Sequence, residues 1–508
     1  MRFIVTLSLI GTLMLAATLT LQTAEPYDVT LSGNAQFTDT AHFRIHYTLT
    51  GIDAVTPDYV SAAAEALELA WTVQIERLGW AAPPSDAGRG GSDLYDVFLK
   101  DLTDEDALGV TSAEDIVRDN PNTPETESYA AASILYVEND FAGVDFADGQ
   151  DAISLMRATV AHEFNHAVQF GYDYIDAHDW IYEASAVWME TQTVGVDQDA
   201  TGYVSANYEY PEICFGSVMN DSDSELHYGE WLFVDHLAQE YGAEVVRAVW
   251  EQSRELEGFA ALEAALEPYM DMTLPAVTAQ PTEAAPMVPE STVIAPPTLP
   301  AISGGGNLGI RPPGAPTAGA PAVGGSGNLG ARPNPSGRAA VPRVSARGTS
   351  PIIPAVLLDY RLRNLARDYD LAALFDATVW LEGTIDSLDW TNTGIGLQEL
   401  SANYFAVTLP AGTYSVIVEG ASALTLWSVE IVGGQMVAYD LSATGTLTVR
   451  PGTESYLMVF NPVYDEDLSD CTSVEYDLKI TATEGGAPPT PYRRYDAGYF
   501  ASLDEGWE

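Results

Sequence analysis

The stretch ATVAHEFNHAVQFGYD, residues 158–173, places His162 and His166 four positions apart, with Glu163 directly after the first histidine. A step of four residues turns an α-helix by about 400°, so the two imidazoles lie about 40° apart on one face. Two ring nitrogens can then reach one ion. Apolar residues at helical spacing predict that this helix packs on a core. These residues are Ile153, Met156, Val160, Phe164, Ala167 and Val168.

The pattern H-E-x-x-H predicts a catalytic zinc site, with His162 and His166 as ligands and Glu163 as general base. Zinc acidifies a water molecule and polarises a carbonyl group, and the glutamate takes the proton of the water. The other interpretation is a helix whose polar side happens to carry these residues. The chain has only 7 histidines, so a chance match is on the order of one in a hundred, and the metal site is favoured.

A catalytic zinc needs a third protein ligand. The metzincin continuation is excluded, because its positions hold Gln169 and Tyr172. We select Glu183, since WIYEASAVWME places it in the first turn of a packed helix that would fix its orientation. Glu190 lies two turns further on nearly the same face, where it either orients a ligand or faces solvent. The full set of candidates is Asp173, Asp176, His178, Asp179, Glu183 and Glu190.

Three segments, HEFNHAVQFGYD, WIYEASAVWME and HYGEWLFVDHLAQEYG, resemble the gluzincin zinc metallopeptidases. The likeness is greatest to a group of secreted bacterial metalloproteases first recognised in myxobacteria, and it covers roughly residues 41–270. It implies a zincin-like α+β fold, with a mixed sheet above the active-site helix and an edge strand that holds an extended peptide. The strand ILYVEND, residues 134–140, is the expected edge.

The resemblance also implies a residue that stabilises the oxyanion, which is often a distal tyrosine or histidine in gluzincins. Tyr228 matches best and His227 is its rival, although both could be ordinary residues at a helix start. The chain departs from the thermolysin-like pattern at Val187, where an aspartate would support a histidine ligand.

Acidic residues outnumber basic ones by 73 to 21, which gives a net charge of −52. Such a chain repels phosphates, so we expect neither a nucleic acid partner nor an anionic membrane surface. Two acidic clusters, residues 145–151 and 465–470, are candidates for structural Ca²⁺ in addition to the catalytic Zn²⁺. Cys214 and Cys471 are assigned to different domains and are therefore expected to be unpaired, buried small residues.

Residues 1–24 have the layout of a secretory signal peptide, with one arginine, an apolar run and then small residues. The alternative is a single membrane anchor, since the apolar run approaches spanning length. No basic cluster follows the run, so we expect cleavage near Ala24, a secreted or extracellular location and no membrane association of the mature chain.

The remaining 484 residues exceed one hydrophobic core and are divided as follows. Residues 25–271 form the zincin-like peptidase domain, 272–354 a Pro/Ala/Gly-rich linker, and 355–390 a helical segment that completes the peptidase domain. Residues 395–486 contain seven short strand patterns, which predict an all-β antiparallel sandwich, and 487–508 form a tail.

Together these features predict a secreted zinc-dependent endopeptidase that acts on proteins or peptides, with the sandwich as an accessory module. Two alternatives stay open. One is a non-catalytic surface or adhesion protein stabilised by zinc, which the intact Glu163 disfavours. The other is a zinc hydrolase of non-peptide substrates, because a fold does not determine the substrate.

Overall fold

The computed structural model describes residues 27–496, apart from the following positions. These are 106, 145, 147–149, 176–177, 196–197, 217–225, 274–349, 370, 372–373, 376, 433–434, 465–470 and 483–490. The predicted signal peptide, most of the linker, Asp145 and Asp148, and the acidic cluster 465–470 lie outside the described residues. Within the described part, the fold class is α+β, as predicted.

A five-stranded mixed sheet forms the N-terminal layer, with strand order β1-β2-β3-β5-β4. The strands β2, β3 and β5 run parallel, whereas β1 and β4 run antiparallel to their neighbours. Their bounds are β1 Gln36–Asp39, β2 Phe43–Tyr47, β3 Tyr95–Lys100, β4 Gly109–Arg118 and β5 Ala130–Glu138.

The prediction that ILYVEND is the edge strand is wrong, because β5 lies between β3 and β4 and pairs with both. Almost every residue of β5 is buried, as expected for a strand covered on both faces. The edge is β4, a polar and half-exposed strand whose pairing with β5 shifts register twice. Such irregularities are common on edge strands and beside active sites.

The helices of the described part pack below this sheet and beside it. They are α1 Pro57–Trp71, α2 Ala152–Phe170, α3 Asp179–Val194, α4 Gln198–Glu209, α5 Leu226–Gly229, α6 Trp231–Tyr241, α7 Glu244–Ser253, α8 Gly258–Thr273 and α9 Ile352–Ala366. No helix in the described part is both long enough and apolar enough to cross a bilayer.

Helix α2 carries the H-E-x-x-H pattern and begins with a capping box. The side chain of Asp151 accepts from the Ser154 amide at 2.8 Å, and the Ser154 hydroxyl accepts from the Asp151 amide at 2.8 Å. These bonds satisfy backbone donors that a helix start leaves unpaired. All residues from Ala158 to Phe170 are buried, because α2 contacts α1, α3, β4 and β5. The histidines therefore lie inside the core rather than on a solvated face.

Helix α1 begins with Thr56 accepting from the Tyr59 amide and Pro57 at the first helical position. Beyond Trp71 it continues as a π-helical turn, Thr72–Arg77. The turn buries Val73 and Gln74, and Gln74 is fully buried against α2.

The C-terminal part consists of two sheets, with orders β15-β11-β10-β13-β8-β6 and β12-β9-β14-β7. The strands are β6 Gly383–Ile385, β7 Thr391–Gln398, β8 Ala402–Val407, β9 Gly412–Glu419, β10 Thr425–Val432, β11 Gln435–Asp440, β12 Thr446–Val449, β13 Glu454–Phe460, β14 Ser473–Ala482 and β15 Pro491–Asp496. The seven predicted strand segments correspond to β8 through β14. The sequence patterns did not predict β6, β7 or β15, and β15 lies within the expected tail.

Strand β8 shows how the C-terminal sheets attach to the rest of the chain. Phe405 faces a core shared by the two C-terminal sheets, whereas its neighbour Tyr404 belongs to the large core of the N-terminal sheet and helices. Helix α9 packs against α8, and the Tyr404 hydroxyl donates to the backbone carbonyl of Arg361 in α9 at 2.8 Å. In the described part of segment 355–390, α9 ends at Ala366 and residues 383–385 form β6.

The two cysteines are paired, so the prediction of free cysteines is wrong. Cys214 and Cys471 form a disulfide with a Cα–Cα distance of 6.0 Å across 257 positions of sequence. Backbone hydrogen bonds hold the segment before Cys214 against β7 and β8, since the Ala402 amide donates to the Pro211 carbonyl and the Gln398 amide to that of Glu212. Gln398 is also the register partner of Ser473, two residues after Cys471. This contact was not predicted because the two cysteines were assigned to separate domains, whereas the C-terminal sheet packs directly on the helices.

Candidate metal centre

Helix α2 presents His162 and His166 from consecutive turns, with ring centroids 4.7 Å apart. Both rings are buried, and His166 is completely inaccessible to solvent. Histidine at such a depth requires partners for both nitrogens, because an unpaired polar atom in a core is costly. The partners lie on two sides of the rings.

The first partner is Glu183, which the first half of α3 delivers to the pair. Its Oε2 lies 3.2 Å from Nε2 of His162 and 3.5 Å from Nε2 of His166. Each of the three residues offers a ligand atom within 4.8 Å of the others. This buried group could hold a metal ion.

The other candidates for the third ligand do not belong to this group or lie outside the described residues. The structure brings neither Asp173 nor His178 into this group, and Glu190 contacts His162 from the opposite side of the ring. Asp176 and the side chain of Asp179 lie outside the described residues.

Charge complementarity is strong around the ligand atoms. Burial lowers the pKa of His162, but hydrogen bonds to Glu183 and Glu190 outweigh it and raise the pKa well above its ordinary value. Burial raises the pKa of Glu183, but the imidazoles of His166 and His162 hold it well below its ordinary value. Glu183 is therefore ionised, which is the state that a metal ligand requires.

The second nitrogen of each ring is held on the far side. Nδ1 of His162 lies 2.6 Å from Oε1 of Glu190, which is buried rather than solvated. Nδ1 of His166 lies 2.7 Å from Oε1 of Gln169. Hydrogen bonds of this kind orient ligand histidines and set which nitrogen carries the proton. Both Nε2 atoms consequently face Glu183.

Glu163 lies between α2 and the edge strand β4. Its Oε2 accepts from the Thr111 hydroxyl at 2.8 Å, while its Oε1 is buried and has no hydrogen-bond partner among the described residues. Burial raises the pKa of Glu163, and the imidazoles of His166 and His162 offset only part of that shift. A carboxylate with one oxygen fixed and one unengaged fits a general base.

Gly109 allows β4 to approach Glu163 this closely. A Cβ atom at position 109 would lie 2.5 Å from Cγ of Glu163 and 2.7 Å from Cγ2 of Thr159. Both distances are shorter than a real contact can be, so a larger residue would displace the glutamate.

Helix α5 places Tyr228 against the ligand set. The Tyr228 ring stacks near His162 with a centroid distance of 6.0 Å, and Tyr203 supports it from behind at 5.0 Å. The ring of His227 lies 4.5 Å from Tyr228. Of the two predicted residues, Tyr228 has a ring contact with His162.

Several residues of the centre were not predicted from the sequence, namely Gly109, Thr111, Gln74 and, in its role beside His166, Gln169. Thr111 and Gly109 belong to β4, which has no clear strand pattern. Gln169 lies three residues after His166, and this i, i+3 spacing on one helix face is the signal that could have identified it.

The residues present fit a metal ion. Two imidazole nitrogens and one ionised carboxylate oxygen converge, and Nε2 of His166 is buried without a hydrogen-bond partner in the described part of the chain. An ion would satisfy this nitrogen.

A family model described as "Family of unknown function (DUF6055)" matches residues 145–271, which include the ligand helices. No curated protein matches the chain.

Proposed function

We propose that the chain is a secreted zinc-dependent endopeptidase of the gluzincin type. The observation that carries the proposal is the buried convergence of His162, His166 and Glu183, next to a glutamate with one unengaged oxygen. A binding protein would need the first three residues but has no use for Glu163 in this position. The pairing of a metal site with an adjacent base supports a hydrolase.

The choice of zinc rests on the donor atoms. Two imidazoles and one carboxylate form a three-residue set of the kind that holds catalytic zinc and leaves a position open. Imidazole ligands favour such borderline ions over Ca²⁺ and Mg²⁺, which prefer oxygen. When bound, the ion would acidify a water molecule and polarise the carbonyl group of the substrate.

The protein's own residues then have defined tasks. Glu163 takes a proton on Oε1, while Thr111 keeps Oε2 in place. Burial favours this transfer, because a raised pKa brings the carboxylate nearer to the pKa of its proton donor. Tyr228, stacked on His162, is positioned to stabilise negative charge on the substrate oxygen.

The same proposal includes a zincin-like fold for the N-terminal part and a sandwich for the two C-terminal sheets. The mixed sheet above α2 and the common core of the C-terminal sheets support it. In this arrangement β4, rather than β5, holds the substrate, because β4 has an unpaired edge and contacts Glu163 directly. A peptide added to this edge would place its backbone beside the base.

The test compares hydrolysis of casein by the wild type and Glu163→Gln, with Glu251→Gln on α7 as a control for the same chemical change at an exposed ion pair. We expect zinc in all three proteins and loss of hydrolysis only in Glu163→Gln. Equal hydrolysis by all three would contradict the mechanism. If casein is untouched by the wild type, a peptide hydroxamate that fails to compete for the site would favour a non-peptide substrate.

A secreted location follows from the signal-like residues 1–24 and belongs to the same proposal. We expect the mature chain in the medium to begin close to Glu25, which N-terminal sequencing measures. Retention of the first residues in a membrane fraction would favour the anchor instead.

A further inference from the structure

The π-helical turn after α1 brings one amide side chain into the core beside the ligand helix. Gln74 is fully buried, and its Nε2 donates to the backbone carbonyl of Ala161, one residue before the first ligand histidine, at 2.8 Å. A π-helical turn is rare and often marks a functional site. The proposed activity assigns no task to Gln74.

Two amide side chains, those of Asn165 and Gln169, connect Gln74 to His166. Nδ2 of Asn165 donates to Oε1 of Gln74 at 3.1 Å, and Nε2 of Gln169 donates to Oδ1 of Asn165 at 2.7 Å. Oε1 of Gln169 then faces Nδ1 of His166 at 2.7 Å. All four side chains are completely buried, so no solvent competes for these bonds.

The direction of this chain is fixed at its first member. The carbonyl of Ala161 can only accept, so Gln74 must turn its NH₂ group toward it and its oxygen toward Asn165. Asn165 must in turn direct its NH₂ group toward Gln74 and its oxygen toward Gln169. Gln169 is then left with an oxygen, which can only accept, beside His166.

A second anchor fixes Gln169 in the same direction. Its Nε2 also lies 3.0 Å from the Tyr182 carbonyl and 3.0 Å from the Ser185 hydroxyl. Ser185 donates its own proton to the Ile181 carbonyl at 2.6 Å, so it accepts from Gln169 and from Trp250. Every group around the NH₂ of Gln169 is therefore an acceptor.

We propose that Gln74 is a positioning residue that acts through Asn165 and Gln169 to hold the proton of His166 on Nδ1. This leaves Nε2 with a lone pair that faces Glu183, which is the state that a ligand requires. The inference rests on the proposed metal site for its use, but the proton position itself exists without a metal.

The chain also makes the two ligand histidines unequal. His162 donates to the carboxylate of Glu190, whereas His166 donates to a neutral amide. With Glu163, Glu183 and Glu190 already in the centre, a neutral partner avoids a fourth buried carboxylate. Burying another unpaired anion would be unfavourable.

The test measures zinc affinity by competition with a chelator in a double-mutant cycle. Gln169→Met should weaken zinc binding about 10- to 100-fold, the usual effect of removing a partner of a ligand histidine. Gln74→Met, which acts at a distance, should weaken it about 10-fold, at the lower end of that range. The double variant should bind no more weakly than Gln169→Met, because both changes break one chain.

Gln398→Met is the matched control, since Gln398 is a partly buried amide that accepts from the Cys214 amide and has no bond to this chain. It should bind zinc like the wild type. A Gln74→Met protein that folds and binds zinc as the wild type does, or effects that add in the double variant, would overturn the proposal.

A measurement on the unaltered protein covers the case in which a variant does not fold. Nitrogen NMR of the 7 histidines in metal-free protein should show a proton on Nδ1 of His166. A bare Nδ1 would overturn the proposal. A wild type that binds no zinc but shows the Nδ1 proton would remove the proposed function and leave the amide chain standing.

Discussion

Replacing Gly109 by alanine tests the contact between the edge strand and the base. The added Cβ would lie 2.5 Å from Cγ of Glu163 and 2.7 Å from Cγ2 of Thr159, where ordinary contacts begin near 3.4 Å. The shortfalls are therefore 0.9 Å and 0.7 Å. Both neighbours are buried, so Glu163 must move by a comparable distance.

A displacement near 1 Å at a reacting group can lower the rate about 100-fold, which corresponds to about 2.7 kcal/mol of activation free energy. We expect kcat/KM for a peptide substrate to fall by about that factor in Gly109→Ala. Overpacking should also lower the free energy of unfolding by about 1–3 kcal/mol. Zinc affinity should not change, because no ligand is touched.

The assay needs peptide hydrolysis, zinc affinity and urea unfolding on the same preparations. Gly396→Ala in β7 is the matched control, since its Cβ would meet only the Ser473 hydroxyl, at an ordinary 3.7 Å. It should match the wild type in all three measurements. Wild-type kcat/KM in Gly109→Ala would refute the reasoning, because the contact would then not position the base.

Three further predictions concern other contacts. Glu190→Gln should weaken zinc binding about 10-fold by chelator competition, because a neutral amide supports His162 less well than a carboxylate does; unchanged affinity would contradict this. Burial raises the pKa of Glu230 to about 8. Between about pH 4.5 and pH 8 this carboxyl therefore stays protonated in the folded protein but ionises in the unfolded chain. The free energy of unfolding of the wild type should fall as the pH rises through this range. Denaturant midpoints measured across this pH range should fall for the wild type and stay level for Glu230→Gln. Midpoints that change with pH in the same way in both proteins would refute the prediction. Cys214→Ser should cost about 2–5 kcal/mol of unfolding free energy in urea, because the disulfide closes a long loop. An unaltered midpoint would contradict this.

The ligand geometry could be predicted because it is local. Positions i and i+4 of a helix face the same way whatever surrounds them, so His162 and His166 converge by helix geometry alone. Glu183 required one more step, the packing of α3 on α2, which the apolar pattern of WIYEASAVWME indicates. The centre of the site was therefore readable from two helices.

The edge strand β4 could not be predicted, because its local sequence pattern is weak. Strand β4, GVTSAEDIVR, has polar residues, two register shifts and one exposed face, so it lacks the alternation that marks a half-buried strand. We expected β5 to be the edge because it precedes the site helix, but its apolar run marks a strand between two others. Thr111 and Gly109 were not predicted as site residues, because they lie on β4.

The other features that the sequence did not predict are contacts between segments that lie far apart in the chain. Asn165 and Gln169 are i, i+4 neighbours on α2, but Gln74 reaches them only when the π-helical turn after α1 packs on α2, so that contact leaves no sign in the local sequence. The disulfide of Cys214 and Cys471 likewise depends on the C-terminal sheet lying against the helices. Such pairings are tertiary and have no local signature.

The most direct test of the central claim is the zinc content of purified wild type and Glu183→Gln, measured after dialysis against a weak chelator. We expect one zinc per wild-type chain and loss of that zinc in the variant, because the variant keeps the shape of the side chain but not its charge. A wild type without zinc, or a variant that retains it fully, would contradict the proposed metal site.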